Sequence, residues 1–209
     1  MVFVRAIAIG AIDNGIRGIC TDGKYLWWTG IQHSSIYQMS KAGRLIRTIN
    51  VAAIDTLPMG ITTDGKYLWW LGDQNNNIYQ MDKAGNLIRT IAVGAIGVTL
   101  RGITTDGKYL WFTEMSGNSV HQIDKLGNLI KTLAIPWATG ITTDGKYLWL
   151  IYSAEEPVVA IIQQRDKLGN LIRTIDISAI EGLPIEICTD GKYLWWTGVY
   201  GGLIVQWAK

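Results

Sequence analysis

No run of 18 apolar residues interrupts this chain, so nothing in it reads as a membrane-spanning helix. Only two cysteines, two histidines and four prolines are present. Two cysteines cannot make a disulfide framework, and no Cys/His pair has zinc-ligand spacing. A phosphate-cradling loop and a Gly-x-Ser-x-Gly nucleophile turn are also missing. The 19 basic and 17 acidic residues leave a formal charge of +2, too small to argue for nucleic acid or an anionic membrane surface. The first residues align with an internal repeat, Phe3-Val4-Arg5-Ala6-Ile7 against Leu87-Ile88-Arg89-Thr90-Ile91. They are therefore read as a strand and not as a targeting segment, and localisation stays open.

Repetition is what the chain has in abundance. Thr-Asp-Gly-Lys-Tyr-Leu-Trp begins at Thr21, Thr63, Thr105, Thr143 and Thr189. A second signature, Lys-x-Gly-x-Leu-Ile, begins at Lys41, Lys83, Lys125 and Lys167, each 42 residues from the next; one further step reaches Lys209. A repeat that runs from end to end leaves no linker, so residues 1–209 are read as one domain.

Within one repeat, Gly60 to Thr63 is short and partly β-branched, Asp64-Gly65 is a hairpin dipeptide, and Tyr67 to Leu71 is apolar on both faces. A polar run, a strand from Asn77 to Met81, a glycine-containing turn and a strand from Leu87 to Val93 follow. A four-stranded sheet with two apolar faces needs a neighbour on each side, and radial stacking supplies both with copies of itself. The expected fold is all-β: a five-bladed β-propeller of 42-residue, four-stranded blades. Blade boundaries fall near 18–51, 60–93, 102–135, 140–177 and 186–209 plus 2–9. The chain begins with a fourth strand, Phe3 to Ile9, and ends with a third, Leu203 to Trp207, so pairing of the two would close the ring and remove an open edge.

The order Gly-Ile-x-x-Asp-Gly, Leu-Trp, polar loop, Ile-x-Gln, then Asp-x-x-Gly-x-Leu-Ile-Arg-Thr resembles NHL-type and YncE-like propeller repeats. The strand Leu110-Trp111-Phe112-Thr113-Glu114 is similar to one in virginiamycin B lyase-like proteins. The resemblance spans the chain and implies the propeller superfamily, whose members include RNA-binding, protein-binding, lyase and hydrolase proteins, usually with six or seven blades. A lyase of the resembled type works with histidine, glutamate and magnesium, which would draw on Glu114 and His33, both in loops between second and third strands.

Five internal copies supply their own comparison. One face of the disk is built from near-identical Asp-Gly-Lys and Asp-Lys-x-Gly turns, whose lysines are expected to be solvated; the other carries the variation and is the expected ligand face. There the fourth repeat loses four residues before Gly140 and gains four between Ile151 and Ile161, presenting Trp137 beside a loop with Tyr152, Glu155 and Glu156. Tyr200 is a second aromatic candidate. Acids outside the repeated turns are Asp13, Asp55, Asp73, Glu114, Glu155, Glu156, Asp176, Glu181 and Glu186; all but Asp176 fall in variable-face segments. That face is expected to be acidic, which argues against RNA.

Glu186 stands where other copies have Gly18, Gly60, Gly102 and Gly140, and is expected near the mouth of the central channel as the ligand for a divalent cation or an amine. Cys20 and Cys188 replace threonines at one repeat position and are read as free, buried thiols, the alternative being a bridge if ring closure brings their Cα atoms within about 7 Å. The paired tryptophans are read as blade packing. The resulting expectation is a monomeric, non-catalytic binding scaffold, lectin-like if blades carry equivalent sites, taking a carbohydrate, small molecule or protein on the variable face. A lyase or hydrolase, and a recently amplified or consensus-built propeller without a specific ligand, are the alternatives.

Overall fold

The computed structural model describes residues 2–154, 159–179, 183–198 and 202–208. Its strands in chain order are β1 (Val2–Ala8), β2 (Ile16–Thr21), β3 (Tyr25–Gly30), β4 (Ser35–Ser40), β5 (Leu45–Asn50), β6 (Pro58–Thr63) and β7 (Tyr67–Gly72). Next come β8 (Asn77–Asp82), β9 (Leu87–Ala92), β10 (Leu100–Thr105), β11 (Tyr109–Glu114), β12 (Ser119–Asp124) and β13 (Leu129–Ala134). The remainder are β14 (Gly140–Thr143), β15 (Leu148–Ala154), β16 (Val159–Arg165), β17 (Leu171–Asp176), β18 (Pro184–Thr189), β19 (Tyr193–Gly198) and β20 (Leu203–Ala208). No described residue belongs to a helix long and apolar enough to cross a membrane.

Five four-stranded antiparallel sheets result: β2-β3-β4-β5, β6-β7-β8-β9, β10-β11-β12-β13, β14-β15-β16-β17 and β18-β19-β20-β1. The innermost strands β2, β6, β10, β14 and β18 pack in that order, with β18 returning to β2. The fold is a five-bladed β-propeller, closed as expected by β1 pairing with β20 from Val2↔Ala208 to Ala8↔Leu203. Thr197 Oγ1, on the last blade, donates to the Arg17 carbonyl of the first at 2.7 Å, a second bond across the closure.

The repeated heptapeptide is accounted for atom by atom. In the first copy Thr21 Oγ1 accepts from Gly23 N (3.1 Å) and donates to Tyr25 O (2.8 Å), while Asp22 Oδ1 accepts from Lys24 N (3.1 Å) and Tyr25 N (2.8 Å). Gly23 sits at φ +89°, where a side chain would strain the turn. Lys24 Nζ lies 5.1 Å over the Tyr25 ring, and Leu26 is fully buried. The tryptophans diverge as strand geometry requires. Trp27 Nε1 donates to Asp22 Oδ2 at 3.1 Å, whereas Trp28 stacks on Tyr37 with centroids 4.0 Å apart. Each such buried ring contributes about 1.5–3 kcal/mol relative to exposure. Cys20 and Cys188 are buried and free.

The lysines of the second signature differ from the expectation of solvated side chains, because they tie adjacent blades together. Lys83 Nζ reaches Asp22 Oδ2 at 2.9 Å, Lys125 reaches Asp64 at 2.8 Å, Lys167 reaches Asp106 at 2.8 Å, and Lys41 reaches Asp190 at 2.7 Å across the closure. One aspartate thus orders its own hairpin, receives its own tryptophan and accepts the neighbour's lysine. Burial opposes ionisation of Asp64, but hydrogen bonds from Lys125, the Tyr67 amide and Trp69 outweigh it and hold the carboxyl at about 2. Asp22, Asp106 and Asp190 are likewise lowered, burial again being overcome by the lysine and amide bonds.

A carboxyl whose folded pKa lies below its unfolded value stabilises fully above the unfolded value of 3.8 and loses that contribution as pH falls toward the folded one. The four bridges should therefore weaken together as pH falls below about 4, the Asp64 bridge failing toward about pH 2. Lys83→Ala should lower stability by at most about 1 kcal/mol, the lysine being partly exposed, and should flatten this acid limb in melts recorded against pH. An acid limb as steep as that of the wild type would show that the bridge carries no linkage.

Candidate functional site

Four of the eight expected site residues, Glu114, His33, Glu186 and Tyr152, are engaged within the scaffold, as are two acids expected on the variable face, Asp13 and Asp55. Asp13, Asp55 and Glu114 are only 1%, 2% and 4% exposed, so they do not make the variable face acidic as the sequence suggests. They clasp the loops between second and third strands. Asp13 Oδ1 accepts from Gly15 N (2.8 Å), and its Oδ2 accepts from His33 N (3.1 Å) and the Tyr37 hydroxyl (3.1 Å). Burial, then the Asp13 charge, pushes Tyr37 up to about 12. In the next blade Asp55 Oδ2 accepts from the Asn75 amide (3.2 Å) and Tyr79 (3.3 Å).

Blade three exchanges the partners. A carboxylate at position 13 or 55 goes with Gly30 or Gly72, where an added Cβ would come within 2.3 Å of the aspartate Oδ2; in blade three Gly97 holds the aspartate position and Glu114 the glycine position. Both Glu114 carboxylate oxygens accept from Gly117 N, at 2.8 and 2.7 Å. The tyrosine position is filled by His121, whose Nδ1 lies 3.0 Å from Thr132 Oγ1; burial lowers its pKa against the opposing charge of Glu114. His33 Nδ1 is 3.3 Å from Asp13 Oδ2 in the first blade. His33 and Glu114 thus each serve their own blade.

Glu186 lies inside the ring of inner strands, 2% exposed, and not at the channel mouth. Oε1 accepts from Ile141 N at 2.7 Å and from Ile187 N at 3.1 Å. Its carboxyl fills the axial space that glycines leave: a Cβ on Gly102 would meet Glu186 Oε2 at 2.7 Å. Burial pushes its pKa well up, opposed by the amides of Ile187, Ile141 and Ile103. A raised carboxyl stabilises fully below its unfolded value of 4.5 and loses that contribution as pH rises through the folded value. Glu186→Gln should therefore gain on the wild type in melting temperature as pH is raised above about 4.5, and a pH-independent difference would refute the assignment. Among the described residues no three His, Cys, Asp or Glu side chains group as metal ligands.

Trp137 is 67% exposed at φ +64°, an uncommon backbone state for a bulky residue, in the shortened crossing ahead of Thr139. Tyr152 lies within β15, opposite Ile161, and packs partly buried against the core between the third and fourth blades. Glu155, Glu156 and Tyr200 lie outside the described residues.

A funnel of about 430 Å³ lies where the inner strands open toward the variable face. Its walls include Arg17, Met59, Arg101, Thr139 and Ile185, which all hold a single repeat position, immediately before Gly18, Gly60, Gly102, Gly140 and Glu186. Leu57, Leu183, Ile31, Asp73 and Ser153 complete it. Arg101 Nη1 pairs with Asp73 Oδ2 at 3.1 Å and also donates to Leu100 O at 2.9 Å. Arg17 Nη1 donates to Ile16 O at 2.8 Å, and burial followed by the Arg101 charge lowers its pKa. The signal was present in the sequence: Arg17 and Arg101 are two of only four basic residues outside the three basic positions that recur in all five repeats.

No family model matches the chain, and no curated protein does. Solved structures match throughout. A chain of a nidogen/laminin complex superposes with TM-score 0.62 at 23% identity, over 88% of this chain and 72% of that one. Virginiamycin B lyase from Staphylococcus aureus gives 0.58 at 22%, over 93% of this chain and 66% of the lyase. Glutaminyl cyclase from Myxococcus xanthus gives 0.78 at 12%, over 98% and 94%. At such identities these likenesses show the fold alone.

Proposed function

We propose that this protein is a non-catalytic binding module that takes one ligand per chain in the central funnel. A single observation carries the reading: the funnel wall is built from positions at which the repeats differ, whereas the opposite face repeats one set of bonded residues. A blade folds with Arg, Met, Thr or Ile at the wall position, so packing does not dictate the choice there. One neighbour in structure is a nidogen/laminin complex, which makes a protein ligand one member of the class. Five equivalent lectin-like sites would have to use the repeated Thr, Asp, Lys and Trp side chains, and these are engaged in hairpins and blade bridges. A lyase or hydrolase would draw on His33, Glu114 and Glu186, each of which is bonded within the scaffold.

Trp137, exposed and two residues ahead of the funnel-lining Thr139, joins the same reading as a flat aromatic surface for a ligand. Trp137→Gly should stabilise the fold by about 1 kcal/mol, since glycine adopts positive φ without strain, while weakening ligand binding. Melting and titration of the same variant separate the two effects. A loss of stability, or unchanged binding, would remove Trp137 from the site. A screen of sugars, organic acids and peptides by thermal shift, repeated with Leu57→Trp to fill the funnel, tests the module as a whole. Ligands that bind both proteins equally would refute the funnel as the site, and a stoichiometry near five per chain would favour the lectin-like alternative.

A further inference from the structure

The funnel has a chemical bias that the binding reading does not itself require. Its described charged residues are Arg17, Arg101 and Asp73, two positive and one negative, and most of the remaining wall is aliphatic: Ile31, Leu57, Met59, Leu183 and Ile185. The two guanidinium groups are not equivalent. Arg101 has a carboxylate of its own in Asp73, which also accepts from the Leu100 amide at 2.8 Å and so is fixed in place. Asp73 reaches it from the loop of the preceding blade. At the same repeat position the blade preceding Arg17 carries Val199, so the internal pattern offers Arg17 no matching acid. Asp13, whose charge does act on Arg17, is occupied by the Gly15 amide, the His33 amide and the Tyr37 hydroxyl. Among the described residues Arg17 has no ion-pair partner, and its charge is opposed by Arg101.

We infer that the funnel binds a monoanionic carboxylate carrying an apolar body, its head on Arg17 and its body against Leu57, Met59, Leu183 and Ile185. This rests on the funnel reading and narrows it. A planar guanidinium matches a carboxylate in a two-point geometry, and a partly buried cation beside a second one gains most from an anion. The described lining carries a net charge of one positive unit, which suits a monoanion better than phosphate, and the aliphatic wall would leave a fully polar anion without contacts over most of its surface. The volume of about 430 Å³ lies within the range of small-molecule pockets. The same chemistry is offered by a free organic acid and by the C-terminal residue of an apolar peptide.

Octanoate, octanol and inorganic phosphate serve as probes at neutral pH, with titration followed by calorimetry and tryptophan fluorescence. Octanoate should bind at one per chain at least about tenfold more tightly than octanol, the usual discrimination for a hydrogen bond to a charged group. Arg17→Gln should remove that preference and leave octanol unchanged, while Arg101→Gln should matter less. Equal affinity for octanoate and octanol, or octanoate binding unaffected by Arg17→Gln, overturns the carboxylate assignment. If octanol binding is then still abolished by Leu57→Trp, the funnel reading survives that failure; if Leu57→Trp leaves it untouched, both fall. Phosphate binding tighter than octanoate also overturns the assignment. A short peptide ending in leucine, compared with its C-terminal amide, identifies the source: preference for the free acid over both the amide and octanoate points to a peptide end, and preference for octanoate to a small acid.

Discussion

Gly60→Ala should prevent the ring from closing, with little folded protein recovered and a loss of about 4 kcal/mol or more, at the extreme of single-substitution effects. A Cβ at Gly60 would lie 2.5 Å from Arg101 O, 2.8 Å from Ile103 N and 2.9 Å from Gly102 Cα. All three are backbone atoms of the next inner strand, held by their own sheet, so no rotamer change relieves the clash. Only radial expansion would, and that would strain the other blade interfaces as well. Gly65→Ala is the control. Nothing lies within 4 Å of its Cβ, and the cost is confined to the conformation at φ +91°, about 1–2 kcal/mol. Similar melting temperatures for the two variants would show that the axial contact is looser than the distances state.

Removal of residues 1 to 9 should be of comparable severity. It takes away β1, and with it the pairing of β20 on its outer side. Ile7 and Ile9 leave the core, at about 1.5–3 kcal/mol each. Arg5 is lost too; its Nε donates to Gln206 Oε1 at 2.8 Å, its Nη2 donates to the Lys41 carbonyl, and its guanidinium lies 5.7 Å from the Trp195 ring centre. A melting temperature lower by about 10 °C or more is expected for a chain of this size, together with self-association through the bared edge of β20. A peptide of residues 1–9 supplied in trans should reverse both. An unchanged melting temperature without self-association would refute closure through β1.

The architecture was legible because repetition exposes constraint. A heptapeptide that returns five times, with a lysine every 42 residues, separates what a blade needs from what it tolerates. Its limits appear where a role depends on a partner. Asp13 and Asp55 looked like surface acids because the glycines opposite them, Gly30 and Gly72, are remote in sequence; the exchange to Gly97 and Glu114 becomes meaningful only when the two positions face each other. Turn lysines looked solvated because the aspartate that Lys83 bonds is 61 residues away in the adjacent blade. Glu186 was visible as the exception at a glycine position, but burial changes what a carboxyl at the axis does. Arg17 and Arg101 were visible as non-recurring charges, yet their meaning comes from sharing one ring position, and summing charge by sign concealed it.

The pairing of β1 with the last blade also bears on inheritance. A 42-residue unit contains the outer strand of one sheet and the three inner strands of the next, so gain or loss of a whole unit changes the number of blades without leaving any sheet incomplete. Blade number in such a gene can drift by simple duplication. What opposes drift downward is the axis, where adjacent inner strands already approach too closely for a Cβ at Gly18, Gly60, Gly102 or Gly140. A sixth copy would widen that axis, release the glycines from selection and leave Glu186 without the facing amides that now receive it.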